Sequence, residues 1–246
     1  MKRNARVKLI VIVVSVLIIS LNKFNLSSAK PEVNILCFVA NGFGDSYYIN
    51  KNLMESYGWT VTTSGTSSLV FGCTNNGKNV NDTYTDVLVQ DLQNEDLSNY
   101  DCILIPSGGH WFNMIYIPRI LEIIQLVHEQ GILVAGICTG MIVLAHTDIL
   151  EGVEVAYNIH AVDYLNQAGA NMTGYPVVSD QGIITGGFGG GTGEGPEGAP
   201  NEAFCEKIKD ELELNQTEAS FVSTIFLGFI LIALCANLVR RNYPKK

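Results

Sequence analysis

Positive charge is scarce through most of this chain. Between positions 31 and 218 the only basic residues are Lys51, Lys78, Arg119, Lys207 and Lys209. Acidic residues are missing from the first 30 positions and from the last 28, so all 24 fall in that central stretch. Five basic against 24 acidic residues give it a formal charge of −19, within a whole-chain value of −9. A field of that sign repels phosphate backbones, which argues against a nucleic-acid partner. No internal repeat recurs. The glycine-rich tract GGFGGGTGEGPEGAP, residues 186–200, is no dinucleotide fingerprint, because no strand-to-helix turn places it on phosphates. It reads as a loop or flap, and carries Glu194 and Glu197 toward the site edge.

Two stretches lack charge altogether. Leu9 to Leu21 is an uncharged run of 13 residues after Lys2, Arg3, Arg6 and Lys8. It is short for a spanning helix, which needs about 20 apolar residues. With the small residues Ser27, Ser28 and Ala29 after it, residues 1–29 read as a secretory signal, or else as an uncleaved N-terminal anchor. Residues 219–239, ASFVSTIFLGFILIALCANLV, hold no charge over 21 positions and are followed at once by Arg240 and Arg241, then Lys245 and Lys246. That pattern predicts a transmembrane helix with a cytoplasmic basic tail, residues 240–246. The expected topology is a single-pass membrane protein with its main domain, residues 31–214, on the extracytoplasmic side. Sequons at Asn81, Asn171 and Asn215 are weakly consistent with export.

Within the main domain, continuous apolar runs alternate with helical spacing. The runs are Val33 to Ala40 (VNILCFVA), Asp101 to Pro106 (DCILIP) and Ile132 to Ile137. Trp59 to Thr63 and Val153 to Tyr157 read as further strands, with a hairpin-like pair around Ser179 to Gly182. Helices are expected after the first run, over 112–129, from Thr139 to His146, from Ala161 to Ala168 and over 201–213. This alternation predicts a mostly parallel sheet covered on both faces. The loops at the strands' C-terminal ends then share one edge, where sites form.

On that edge lies GICTG, residues 136–140. It has the form of a nucleophile elbow with cysteine in place of serine. A tight turn exposes the Cys138 side chain, and the following helix start supplies free N–H groups that favour the thiolate. The backbone N–H groups of Gly109 and Thr139 are candidates for holding a developing oxyanion. His110, directly after the double glycine, is a candidate base or hydrogen-bond donor. Trp111 and Phe112 beside it suit an apolar wall or a subunit contact. Cys37 and Cys102 fall on central strands and read as reduced core residues. Cys73, in a polar loop, is able to pair in an oxidising compartment.

The residues also resemble a family. FVANGFGD, DCILIPSGGH, AGICTG, LNQAGA, VVSDQGIITGG and EAFCEKI resemble, in order, the landmarks of the ThiJ/PfpI family of the class I glutamine-amidotransferase-like superfamily. The resemblance implies a flavodoxin-like three-layer sandwich, often assembled into homo-oligomers, with no obligatory cofactor and no metal. It implies cysteine-dependent hydrolase, amidase or glyoxalase-type chemistry on a small carbonyl or amide compound. The alternative is a non-catalytic thiol sensor of oxidants or electrophiles, or a ligand-binding module. The departures are specific. The family's glutamate beside the cysteine is replaced, by register, with Tyr47, and Asp45 is the nearest carboxylate. The histidine that follows the cysteine in peptidase-like members is Thr139 here, which argues against peptidase activity. His160 lies two residues off the family's histidine position, with Asn158 at the matching place.

Overall fold

The structure is a computed structural model that describes residues 32–75, 78–189 and 198–215. Its α/β body spans Glu32–Leu212. In chain order the elements are β1 (Asn34–Val39), α1 (Ser46–Ser56), β2 (Thr60–Gly65), β3 (Val87–Leu88), β4 (Cys102–Ile105), α2 (Trp111–Met114), α3 (Pro118–Glu129), β5 (Leu133–Ile137), α4 (Gly140–Ala145), β6 (Glu154–Ala156), α5 (Val162–Gln167), β7 (Asn171–Thr173), β8 (Val177–Asp180) and β9 (Ile183–Gly186). A further helix begins at residue 201.

Seven strands form one sheet in the order β8-β9-β5-β4-β1-β2-β3. All neighbours run parallel except the hairpin of β8 with β9. The central strands are apolar at successive positions because both faces are covered. On one face Leu36, Phe38, Ile103, Ile105 and Val134 pack under α3, α4 and α5. On the other Ile35, Cys37, Val39, Cys102, Leu104 and Ile137 pack under α1 and the helix from 201. The helix α3 shows why it adheres: Ile120, Ile123, Ile124 and Val127 fall on one stripe and all are buried. Each such side chain contributes roughly 1.5–3 kcal/mol on leaving water.

Three expectations change in detail. The helix expected over 112–129 is two, because Pro118 restarts the chain at the first turn of α3. The strand expected at Val153 to Tyr157 does not join the main sheet; β6 pairs in parallel with β7, which had no strand signal of its own. The polar stretch 64–99 carries β3 at the sheet edge and short antiparallel ladders, Leu69–Val70 with Thr83–Tyr84 among them. Among the described residues no helix is long and apolar enough to cross a membrane. Residues 1–29 and 219–246, on which the signal, transmembrane and tail expectations rest, lie outside the described residues, as do Glu194 and Glu197.

Candidate active site

The edge at the C-terminal ends of β1, β4 and β5 is knitted from three loops. Cys138 directly follows β5 and adopts φ +52°, in the left-handed region that non-glycine residues rarely occupy. Its neighbours permit the turn. A Cβ on Gly140 would sit 2.3 Å from the Ile105 carbonyl oxygen, so only glycine lets α4 start this close to β4. Two hydrogen bonds hold the turn from outside: the Cys138 N–H donates to Gly186 O at 2.7 Å, and Asn158 Nδ2 donates to Cys138 O at 2.6 Å. The sulfur-bearing residue is 8% exposed.

The loop after β4, Pro106 to His110, lies against the elbow and against the loop after β1. Gly108, at φ +138°, has no room for a side chain: its Cβ would meet Gly44 N at 2.3 Å. Gly44 N–H donates to Ser107 O at 2.8 Å, and His110 N–H to Gly42 O at 3.1 Å. Ser46, buried at the start of α1, donates to Ser107 Oγ and accepts from Ser107 N–H. Thr139 Oγ1 bonds both the N–H and the carbonyl of Gly108, at 2.8 and 2.9 Å. The oxyanion pair proposed from the sequence, Gly109 and Thr139, thus stands on two loops stitched together one residue away. The Gly109 N–H makes no hydrogen bond among the described residues.

The side chains singled out from the sequence do not all converge on the sulfur. His110 is fully buried, and both ring nitrogens are spent on backbone. Nδ1 accepts from Ala40 N–H at 3.3 Å, and Nε2–H donates to Pro106 O at 2.8 Å, a pairing that assigns the tautomer. Burial pushes its pKa down to about 4, with the Pro106 bond opposing. His110 is therefore a neutral strut beneath the loop, with no lone pair left to take a proton from Cys138. Tyr47 is buried, but its hydroxyl bonds Thr63 Oγ1 at 2.8 Å and Thr83 Oγ1 at 3.2 Å, over β2. Asp45 is exposed at the N-cap of α1 without capping the helix by its side chain. His160 is exposed and lies over the Phe188 ring, centroids 4.9 Å apart. Among the described residues no His, Cys, Asp or Glu cluster could hold a metal ion.

The electrostatics also correct an expectation. A helix start favouring the thiolate should lower the Cys138 pKa. The thiol is instead raised above its ordinary value. Burial is the largest cause; the Thr139 amide and hydroxyl pull downward, and the charge of Asp45 pushes upward. A helix of six residues offers too little to outweigh desolvation. Asn158 carries more weight here than the sequence suggested. Its signal was its register, at the place where the family has histidine; the structure uses it to hold the elbow carbonyl.

Residues 33–193 match the DJ-1/PfpI family. The chain belongs to that family. Solved structures agree on the fold. A ThiJ/PfpI domain protein from Brachyspira murdochii superposes at TM-score 0.62 with 20% identity, over 76% of this chain and 99% of that one. DJ-1beta of Drosophila melanogaster gives 0.60 and 21%, over 74% and 91%. A two-domain protein from Anabaena variabilis, with DJ-1/ThiJ/PfpI-like and ferritin-like domains, gives 0.57 and 24%, over 63% and 45%. This chain thus spans less than half of that protein's length. No curated protein matches the chain.

Proposed function

We propose that this DJ-1/PfpI domain uses Cys138 to form reversible adducts with small carbonyl compounds, aldehydes above all. The thiol proton leaves to solvent. A sulfur lone pair then attacks the carbonyl carbon, and the C=O π electrons move onto oxygen. The Gly109 and Thr139 N–H groups receive that oxyanion before water protonates it to a thiohemiacetal. The observation that carries this reading is the left-handed Cys138, a conformation that costs a non-glycine residue roughly 1–3 kcal/mol and persists where a surrounding frame enforces it. Hydrolysis of an amide would also require a proton for the leaving nitrogen, and His110, bonded at both nitrogens, supplies none. Adduct formation or slow turnover fits the site better than rapid hydrolysis. The uncharged stretch 219–239 and its basic tail support a membrane-anchored, extracytoplasmic placement of this domain.

The test is competition. Cys138 alkylation by iodoacetamide is followed by mass spectrometry in a C73S background, with and without methylglyoxal. The aldehyde should slow alkylation in a saturable, reversible manner, and the Cys138 peptide should carry the label. Alkylation unaffected by saturating aldehyde defeats the proposal. Because the thiol pKa is raised, the rate should climb about tenfold per pH unit through the neutral range.

A further inference from the structure

A threonine at a helix N-cap ordinarily accepts a hydrogen bond from an N–H of the first turn. Thr139, at the N-cap of α4, does not cap by its side chain. Its hydroxyl accepts from the Gly108 N–H at 2.8 Å and donates to the Gly108 carbonyl at 2.9 Å. A hydroxyl carries one proton and two lone pairs. The proton is therefore placed on Gly108 O, while the same oxygen sits on the residue adjoining the reactive sulfur. When that sulfur is charged, the strongest acceptor nearby is no longer a carbonyl but an anion.

We propose that Thr139 is a positioning residue whose hydroxyl proton turns from the Gly108 carbonyl to the Cys138 sulfur when the sulfur becomes anionic, so that the state of the thiol is transmitted to loop 107–109. This deepens the carbonyl-addition reading and rests on Cys138 as its reacting group. Three observations meet on it. The Thr139 side chain lowers the pKa of the thiol, against the burial that raises it. The side chains singled out from the sequence are committed elsewhere: His110 is bonded to Ala40 and Pro106, Asn158 to the Cys138 carbonyl, Tyr47 to Thr63 and Thr83, which leaves the Thr139 amide and hydroxyl as the groups that favour the anion. Asp45 is the charged group whose field reaches the sulfur, and its sign opposes ionisation. The threonine hydroxyl thus favours the anion as a hydrogen-bond donor without a charge. Its rotation also releases Gly108 O, and the loop that presents the Gly109 N–H is loosened in the charged state. No proton is transferred by Thr139; its O–H bond stays intact and only its acceptor changes.

The experiment reads the loop and the thiol together. In the full chain with C73S, the amide resonances of Gly108 and Gly109 are followed against pH beside the Cys138 alkylation rate. Both amides should shift with the midpoint found for Cys138, and the shift should vanish in C138S. In T139V the Cys138 midpoint should rise by about one pH unit, with roughly a tenfold slower alkylation at neutral pH; T139S should restore both. A Gly108 amide that stays flat through the Cys138 midpoint overturns the proposal, as does a folded T139V variant with an unchanged midpoint. If T139V fails to fold, the titration of the protein with Thr139 intact decides alone. A site that titrates as described but forms no methylglyoxal adduct would sink the carbonyl reading and leave this one standing.

Discussion

Acidification should destabilise this protein through His110, a residue that touches no solvent. The imidazole is fully buried and neutral, with a pKa of about 4 against an ordinary 6.5. Above pH 6.5 it is neutral in both folded and unfolded chains and contributes no pH dependence. Below 6.5 the unfolded chain takes up a proton that the folded site refuses, so folding free energy is lost as pH falls, until the folded site also protonates near pH 4. The gap, at about 1.4 kcal/mol per pH unit, amounts to about 3 kcal/mol. That is a large part of the 5–15 kcal/mol typical of a domain. The measurement is urea unfolding at pH 7 and pH 4.5, for the protein and for His110→Gln. Glutamine keeps a donor and an acceptor but does not titrate. Carboxylates protonate in both proteins and cancel in the difference. The parent should lose about 2–3 kcal/mol more than the variant. Equal losses would show that the buried imidazole is not the titrating group, and would undo its assignment as a neutral strut.

Two further outcomes test the frame around the sulfur. Asn158→Ala removes the 2.6 Å bond to the Cys138 carbonyl and should cost about 1–3 kcal/mol by chemical denaturation, together with a slower Cys138 alkylation. Cys138→Gly should be more stable than Cys138→Ala by roughly 0.5–1 kcal/mol, because relief of the left-handed strain exceeds the extra chain entropy of glycine; an alanine variant of equal or greater stability argues that φ +52° is unstrained.

Much of the architecture was legible because its causes are local. β1, β4 and β5 announce themselves as unbroken apolar runs, which only a doubly covered strand requires. The elbow was legible for a similar reason: small residues on both sides of the nucleophile are what so sharp a strand-to-helix turn needs, and here Gly136 and Gly140 make room for Leu144 and Ile105. What was not legible depends on distant partners. The sequence places His110 beside the sulfur, but whether its ring faces the sulfur or the backbone is set by Ala40, seventy positions away. The sign of the Cys138 shift needed the burial of the finished edge, where desolvation outweighs the helix start. Pairing of β6 with β7 left no pattern in the short polar segment Asn171–Thr173. The break at Pro118, by contrast, was written in the chain, since proline favours the first turn of a new helix.

The backbone angle at Cys138 has a genetic consequence. Cysteine and glycine codons differ at a single nucleotide, so a stabilising replacement is always one step away. A lineage that no longer needed the sulfur would drift toward glycine there, because selection for stability alone rewards the change. Retaining cysteine at that bend is a standing cost, and descendants that lose the chemistry should be recognisable by a GIGTG motif in an otherwise intact fold.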